Sequence, residues 1–432
     1  MEVRRTCRTV VVFWLFVLCP SLASAAGARS TELVLERVLD STRFGSPDPA
    51  GVYVFPSTGI IVICDSEAEE PPHFQSMNVF VLDPSGELRE RHSTLAYSDE
   101  PTGIVFVPER GTYFLSDDDA RRVFEVDEAF ALVSSFSTAA FGCVDPEDVT
   151  FAPDRGTLYL VDGHEGRIFE VTPGGGLVSS FSTDGFGLVD PEGIAFDPRS
   201  GTLFVVSTAS RRIARVTPDG LLVERFEIKS MKMKAPQGLA VVPGEGERDT
   251  RLFVADGRRD NVRDGWIAKI RLKGDVCANG VLALEPKADA FVVKGKTTSS
   301  VNYGGKRSLV VDRSPATLSY LRFDLTDVPG PIESATLLLS CVDASSRGGR
   351  AHVASNEPWD ETGITYANRP SVSGNPLSTV AKVAKGNLAL FDVTAVVAPG
   401  AVVTIAIVGD GTDSAGYGSR ESKAGPVLRL SR

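Results

Sequence analysis

The chain has 432 residues, of which 23% are charged and 42% are hydrophobic, and its formal net charge is -11. This length is enough for two or more domains, and the composition is that of a soluble globular protein rather than a disordered or fibrous one. An acidic surface argues against non-specific binding to nucleic acid or to an anionic membrane, whereas neutral glycans and cations are compatible with it.

Residues 1–25 have the pattern of a secretory signal peptide. Arg4, Arg5 and Arg8 form a basic region, Val10 to Cys19 is a short apolar run, and Ala23-Ser-Ala25 offers a cleavage site. The apolar run is too short to span a bilayer comfortably, and an uncleaved anchor is the alternative. No second apolar run of membrane length follows, so we expect a secreted protein, located outside the cell, in the periplasm or on the cell surface.

A unit of 45 residues repeats along the N-terminal part of the chain. It begins at Pro101, Pro146, Pro191 and Pro236, and a looser copy begins at Pro49. A period of this length, with several short strands in each unit, is the signature of a β-propeller. The unit that starts at Pro146 contains four short runs rich in β-branched and aromatic residues, with Gly, Pro and Asp turns between them.

The two ends of the repeat region suggest how the ring closes. Residues 32–39 resemble the fourth strand of a unit, whereas the last unit has no obvious fourth strand before Gly274. The N-terminal strand can therefore complete the last blade, which predicts five blades over residues 32–274. Six blades is the alternative, if the segment around Val281–Leu284 adds further structure. The Pro-Glu-Gly starts and the Asp-ended second strands resemble NHL-like bacterial propellers.

Two loops of each unit are expected to open on the same face of the ring. The loop entering the first strand carries Glu147 and Glu192, and the loop leaving the second strand carries Asp117 and Asp162. Such an acidic rim offers oxygen ligands to Ca²⁺ or another hard cation. The alternative is that the aspartates cap their own turns by accepting backbone N–H bonds. His164 lies in the loop that follows Asp162 and is the one histidine with a plausible site context.

Residues 275–285 are expected to form a linker, and residues 286–432 lack the 45-residue repeat. Their short alternating strands predict an antiparallel jelly-roll sandwich, so the whole chain is expected to be all-β. A series of short motifs runs through this region: Asp289-Ala-Phe-Val-Val293, Asn302-Tyr-Gly304, Leu318–Asp324, Trp359–Thr365, Asn368-Arg-Pro370 and Ser419-Arg-Glu421.

This order of motifs resembles the DNRLRE family, a group of secreted jelly-roll domains related to modules that recognise alginate and similar polysaccharides. The resemblance implies a jelly-roll fold and contact with a glycan. Trp359 is a candidate for stacking on a sugar face, and Arg369 and Arg420 are candidates for pairing with uronate carboxylates. The alternatives are that Trp359 anchors its own loop and that the arginines pair with Asp360 or Glu421.

Four cysteines follow the predicted signal peptide: Cys64, Cys143, Cys277 and Cys341. An oxidising compartment would allow up to two disulfides, whose pairing the sequence does not determine. Cys341 lies in an apolar run and is equally compatible with a buried free thiol.

These observations predict a secreted binding protein without catalytic activity. Its C-terminal domain would attach to an extracellular or cell-surface polysaccharide, and its propeller would offer a second surface, for example to another protein. The alternative is a metal-assisted hydrolase or lyase on the acidic rim, with Glu147, Glu192, Asp117 and Asp162 as metal ligands and His164 as a base. The chain has no G-x-S-x-G, H-E-x-x-H or P-loop motif that would name a reaction. A third hypothesis is a structural surface protein whose domains are spacers.

Overall fold

A computed structural model describes residues 31–67, 76–244, 249–257, 262–273, 280–328 and 330–431. The predicted signal peptide, Cys277 and residues 275–279 of the predicted linker lie outside these ranges. The described chain is almost entirely β and forms a five-bladed propeller followed by an antiparallel C-terminal domain, which confirms the predicted fold class. None of its helices has the length and apolarity that crossing a membrane requires.

Each blade of the propeller is a four-stranded antiparallel sheet. The first strand of the chain, β1 (Glu32–Asp40), belongs to the last blade. Blade 1 contains β2 (Pro49–Val54), β3 (Ile61–Asp65), β4 (Val79–Leu82) and β5 (Leu88–His92). Blade 2 contains β6 (Pro101–Val107), β7 (Thr112–Asp117), β8 (Arg122–Val126) and β9 (Leu132–Ser137). Blade 3 contains β10 (Pro146–Ala152), β11 (Thr157–Asp162), β12 (Arg167–Val171) and β13 (Leu177–Ser182). Blade 4 contains β14 (Pro191–Asp197), β15 (Thr202–Ser207), β16 (Arg212–Val216) and β17 (Leu222–Glu227). Blade 5 contains β18 (Pro236–Pro243), β19 (Asp249–Asp256), β20 (Trp266–Lys273) and β1.

The ring closes as the sequence predicts. β1 pairs antiparallel with β20, in a register that runs from Glu32 opposite Lys273 to Asp40 opposite Trp266. A 3-10 helix follows β1 and the last strand of blades 2, 3 and 4; the four are η1 (Ser41–Arg43), η2 (Ala139–Phe141), η3 (Asp184–Phe186) and η4 (Lys229–Met231). Each of these short helices leads the chain from the outer edge of one blade to the innermost strand of the next.

Apolar positions that recur every 45 residues form the core between blades. Val123, Ile168 and Ile213 occupy the same place in blades 2, 3 and 4, and all three are 0% exposed. Since one blade cannot cover both faces of its own sheet, these side chains are buried only when neighbouring blades stack.

An ion pair with at least one buried member recurs in blades 2, 3 and 4, and in blade 4 the positions of the charges differ. Arg110 contacts Glu125 at 2.7 Å in blade 2, and Arg155 contacts Glu170 at 2.8 Å in blade 3. In blade 4 the basic residue takes the glutamate position: Arg215 is fully buried and its Nη2 lies 3.0 Å from Asp197 Oδ2. The position equivalent to Arg110 and Arg155 is Ser200, and the carboxylate comes instead from Asp197, so the buried Arg215 still has a partner of opposite charge.

The C-terminal domain is one curled antiparallel sheet whose two halves face each other. Its strands are β21 (Val281–Leu284), β22 (Ala288–Val293), β23 (Ser308–Arg313), β24 (Ala316–Asp324), β25 (Ser334–Asp343), β26 (Gly349–Val353), β27 (Ser378–Val380), β28 (Leu388–Asp392), β29 (Val402–Val408), β30 (Ala415–Gly418) and β31 (Val427–Ser431). The short helix η5 (Thr394–Val396) follows β28. Side chains of β24 and β29 on one half, such as Phe323 and Ile405, pack against those of β25 and β31 on the other, such as Leu337 and Leu428.

Val281–Leu284 does not extend the propeller. As β21 it pairs antiparallel with β31, so it is part of the C-terminal sheet although the sequence places it in the linker. This pairing removes the reason for considering a sixth blade.

Blade 4 packs against the C-terminal domain. Val223 of β17 is buried with Ala283, Leu338 and Val427, and Arg225 Nη1 donates to Gly386 O at 2.9 Å. A truncation between the domains would expose these apolar side chains, so ligand binding is best measured on the full chain.

The described cysteines are buried free thiols. Cys64, Cys143 and Cys341 have no disulfide partner among the residues that the structure covers, and Cys277 lies outside that part of the chain. Burial raises the pKa of the Cys64 and Cys143 thiols, so both are protonated at neutral pH.

Candidate functional site

All five blades contribute to a polar cavity of 230 Å³ at one end of the propeller channel, which we call the acidic mouth. It is lined by Asp48, Ala50, Ser66, Glu67, Glu100, Thr102, Asp118, Glu147, Glu192 and Gln237. Glu147 and Glu192, two of the predicted metal ligands, therefore lie in the same cavity. They come together because each is the second residue of an innermost strand, β10 or β14, and those strands surround the channel.

The carboxylates of the acidic mouth crowd one another. Asp118, Asp145 and Glu147 each offer an oxygen within 4.8 Å of the other two. Burial raises the pKa of Glu147 first of all, and the neighbouring Glu192 and Asp118 raise it further. Burial also raises the pKa of Glu192, and that of Asp118 to about 6. Because Glu147 and Glu192 are hydrogen-bonded to each other, at least one of the pair holds a proton at neutral pH.

Asp117 and Asp162 end their strands with side chains turned into the protein. Asp117 accepts hydrogen bonds from Ser98 Oγ at 2.6 Å and from the Ala120 N–H at 2.7 Å. Asp162 accepts from the N–H groups of Val144 and Glu165, both at 2.7 Å. Both side chains are fully buried. Their carboxylates thus serve the turns around them, which was the alternative to metal binding.

Two carboxylates lie beside Glu147 but are not among the metal ligands predicted from the sequence: Asp145 and Asp118. Asp145 immediately precedes the repeat proline, and Asp118 follows the strand-ending Asp117. A signal for Asp145 exists in the sequence, because the residue before the proline is also acidic at Asp48, Glu100 and Asp190. The signal for Asp118 is local, because it is the middle residue of the acidic run Asp117-Asp-Asp119, and its position holds no acidic residue in the other units. The side chain of His164 is 73% exposed and is not among the residues that line the mouth.

Asp148 joins the innermost strands beneath the acidic mouth. It is 1% exposed, and its Oδ2 accepts the N–H groups of Ile194 at 3.0 Å and Leu239 at 3.2 Å, from blades 4 and 5. The Ile104 N–H of blade 2 also bonds to this carboxylate. Burial raises the pKa of Asp148 well above its usual range, and these N–H bonds oppose the shift.

The other units have glycine where blade 3 has Asp148. A Cβ on Gly193 would lie 2.0 Å from Gln237 O, and a Cβ on Gly238 would lie 2.2 Å from Ala50 O. The centre of the ring therefore has room for a single side chain at this level. Beyond it, the opposite ends of the innermost strands line a second, apolar cavity of 230 Å³, whose walls include Pro56, Pro108, Pro153, Pro198 and Pro243.

In the C-terminal domain, the loop around Trp359 covers the outer face of β22, β24 and β29. Trp359 is half-buried, its Nε1 donates to Thr404 Oγ1 at 3.3 Å, and its ring meets that of Tyr320 edge-on at 6.4 Å between centroids. The indole therefore anchors its loop to the sheet, while its exposed part remains available to a ligand.

The two predicted arginines both have partners within the domain. Arg369 stacks over the ring of Tyr366, with 3.6 Å between Cζ and the ring centroid. Arg420 is 41% exposed and pairs with Glu361 at 3.0 Å, rather than with Asp360 or Glu421. Arg420 also donates to Lys287 O at 2.8 Å.

Motifs that lie far apart in the sequence meet around Glu361. Glu361 Oε2 accepts the Asp289 N–H at 3.1 Å, and Glu361 O accepts Asn302 Nδ2 at 2.8 Å. The Arg420 N–H donates to Asp289 Oδ2 at 2.9 Å. Gly304 is packed so closely that an added Cβ would lie 1.9 Å from Glu361 O. Asp289, the Asn302–Gly304 turn, the Trp359 loop and the Ser419–Glu421 turn thus form one cluster.

The charge of the chain is divided unequally between its domains. Residues 31–280 contain 25 basic and 41 acidic residues, whereas residues 281–432 contain 16 basic and 14 acidic ones. Residues 287–313, which we call the basic segment, hold six basic side chains, all of them exposed: Lys287, Lys294, Lys296, Lys306, Arg307 and Arg313. The Ala367 N–H donates to Ser299 O at 2.9 Å, so this segment borders the loop that carries Trp359 and Arg369.

Residues 281–432 match the family model of carbohydrate-binding module family 96. The match covers β21 to β31, and it confirms that the C-terminal half resembles carbohydrate-binding jelly rolls. The comparison with curated proteins found no match.

Among solved structures, the chain is similar to virginiamycin B lyase from Staphylococcus aureus, at 16% identity over 58% of this chain and 93% of that one, with a TM-score of 0.35. It is also similar to the glutaminyl cyclase of Myxococcus xanthus, at 12% identity over 56% of this chain and 96% of that one, with a TM-score of 0.41.

Proposed function

We propose that the protein is a secreted polysaccharide-binding protein whose C-terminal domain binds an acidic glycan. The match to carbohydrate-binding module family 96 over residues 281–432 is the observation that carries the proposal. The propeller would then offer a second binding surface to another protein or ligand. Because the C-terminal domain binds the glycan, it would keep this surface close to the polysaccharide.

The distribution of charge supports an acidic glycan over a neutral one. The six exposed basic side chains of the basic segment are accompanied by two acidic residues, of which Asp289 is buried. Carboxylates or sulfates along a polysaccharide would be attracted to such a segment, and the attraction would weaken as salt is added. Trp359 would add apolar contact with a sugar face at the border of the segment.

Affinity electrophoresis of the full chain without residues 1–25 tests this proposal. Gels would contain alginate, pectate, a sulfated glycan or a neutral β-glucan at equal mass. Retardation by at least one acidic glycan, reduced by about 0.5 M NaCl, is the expected result. If no polysaccharide retards the protein, glycan binding is wrong, and if neutral and acidic glycans act equally, the acidic class is wrong.

A second candidate function is the binding of a hard cation, such as Ca²⁺, at the acidic mouth. The proximity of the Asp118, Asp145 and Glu147 oxygens and the raised pKa values of Glu147 and Glu192 favour it, because a bound cation would relieve the repulsion among these carboxylates. A cation held there could also polarise a carbonyl or activate water, as the hydrolase or lyase alternative requires.

The cation and the reaction are tested separately. Metal content after dialysis against Ca²⁺ should fall in Glu147→Gln/Glu192→Gln compared with the parent, whereas equal contents would exclude the mouth as a cation site. Incubation with any polysaccharide that the chain binds, followed by assays for new reducing ends and for unsaturated products, decides whether the protein is an enzyme for that glycan.

A further inference from the structure

The cluster around Glu361 contains three carboxylates, those of Asp289, Glu361 and Glu421. Asp289, Glu361 and Glu421 each offer an oxygen within 4.8 Å of the other two. They come from β22, from the Trp359 loop and from the turn before β31, so they lie 72 and 60 positions apart along the chain. Like charges at such distances repel, and in the fold they are held together by surrounding structure.

The buried carboxylate of Asp289 has an oxygen that accepts no hydrogen bond. Asp289 is 0% exposed, and its Oδ2 accepts the Arg420 N–H. Within the described residues, Asp289 Oδ1 is buried and receives no hydrogen bond, and the same is true of Glu421 Oε2. A buried carboxylate oxygen without a donor is costly, and such a group calls for an explanation, of which a cation is one.

The cluster has a net negative charge, which suits a divalent cation. Arg420 contacts this cluster through its guanidinium on Glu361 and its N–H on Asp289. When all three carboxylates are ionised, they and the one guanidinium together carry two negative charges. All the side-chain ligands on offer are carboxylate oxygens, which Ca²⁺ and Mg²⁺ prefer over sulfur or nitrogen.

The distances are compatible with one Ca²⁺ ion. Two oxygens on opposite sides of a Ca²⁺ ion lie about 4.8 Å apart, twice the usual Ca–O distance of about 2.4 Å, and closer when they are adjacent. Oxygens that all lie within 4.8 Å of one another can therefore share one Ca²⁺. Ca²⁺ also tolerates an irregular set of ligands completed by water, whereas Mg²⁺ requires near-octahedral geometry.

We propose that Asp289, Glu361 and Glu421 form a Ca²⁺ site in the C-terminal domain, separate from the acidic mouth of the propeller. The ion would join β22, the Trp359 loop and the Ser419–Glu421 turn. It would thereby stabilise the C-terminal domain and fix the loop that carries Trp359. The proposal does not depend on glycan binding, because it concerns the ion alone.

Isothermal titration of Ca²⁺ into the full chain, after removal of metal with EGTA, tests the site. The background variant Glu147→Gln/Glu192→Gln is used to weaken any binding of Ca²⁺ at the acidic mouth. In that background, Glu421→Gln and Asp289→Asn should each weaken Ca²⁺ binding by at least about tenfold, since each loses a carboxylate ligand. Glu357→Gln is the matched control, because Glu357 is an exposed glutamate four residues before Glu361 and outside the cluster, so its loss should leave Ca²⁺ binding unchanged.

Two results would overturn the proposal: no Ca²⁺ binding in the background variant, or equal binding in the background variant and in Glu421→Gln. Since Asp289→Asn changes a buried residue, its circular dichroism is compared with that of the parent, and Glu421→Gln provides the same test at a less buried position. A rise in melting temperature with Ca²⁺ that disappears in Glu421→Gln but persists in Glu357→Gln would support the site independently.

Discussion

Asp148 provides a direct test of how the centre of the propeller is held together. In Asp148→Ala, the N–H groups of Ile194 and Leu239 lose their acceptor in a region where both residues are at most 3% exposed. Leaving a buried donor unsatisfied costs about 1–3 kcal/mol, so the Ile194 and Leu239 donors alone predict a loss of about 2–6 kcal/mol. For a domain of this size, the lower limit corresponds to a fall of about 4–8 °C in melting temperature.

Differential scanning calorimetry of the full chain measures this loss, and amide hydrogen exchange locates it. The amides of Ile194 and Leu239 should lose protection in Asp148→Ala, whereas those of the C-terminal domain should not. Asp148→Asn keeps one acceptor oxygen and should lose less stability than Asp148→Ala. The exposed Asp154, in the same blade, is the control, and Asp154→Ala should stay within about 0.5 kcal/mol of the parent. A loss below 1 kcal/mol in Asp148→Ala, with unchanged exchange at Leu239, would show that Asp148 does not link the blades.

Three further predictions concern the propeller. Because the pKa values of Glu147 and Glu192 are raised in the folded state, their contribution to stability is fully present below about pH 4.5 and is lost as pH rises towards the folded-state values. The melting temperature of the metal-free protein should therefore fall between pH 5 and pH 9, and it should fall less in Glu147→Gln/Glu192→Gln. Equal pH slopes in the two proteins would contradict the assignment. Asp197→Ala leaves the buried Arg215 without this carboxylate and should lower the free energy of unfolding, measured with denaturant, by about 3–5 kcal/mol. Glu227→Ala breaks the more exposed pair with Arg212 and should lower it by less than about 1 kcal/mol, so similar losses in the two variants would refute the difference. Gly193→Ala places a Cβ 2.0 Å from Gln237 O and should destabilise the propeller by about 1–3 kcal/mol. In the control Gly174→Ala, the nearest atom to the new Cβ is 4.0 Å away, and stability should not change. An equally stable Gly193→Ala would show that the innermost strands can move apart.

The sequence is most informative about the propeller because its apolar positions recur with every blade. A 45-residue period fixes which residues are equivalent, and the resemblance of residues 32–39 to a fourth strand is enough to predict the pairing of β1 with β20. The same equivalence places Glu147 and Glu192 on one face of the ring. It does not reveal Asp148, because the departure of one unit from glycine says nothing about which backbone groups surround the new side chain.

The C-terminal cluster could be predicted only as a set of motifs. Asp289, Glu361 and Arg420 lie on different strands and turns, and no repeat relates them. Their contacts depend on how the sheet curls, which local sequence patterns do not specify. For the same reason, the sequence suggests Asp360 or the neighbouring Glu421 as the partner of Arg420, rather than Glu361.

Calorimetric titration of the full chain with oligomers of the acidic glycan that binds it most tightly tests the central claim directly. Lys294→Glu/Lys296→Glu reverses two charges of the basic segment, and Lys382→Glu/Lys385→Glu makes the same change at exposed lysines elsewhere in the domain. If the basic segment contacts the glycan, the first variant should lose about tenfold or more in affinity, since each charge contact contributes about 1 kcal/mol, and the second should change little. Equal affinities of the two variants would contradict glycan binding at this surface.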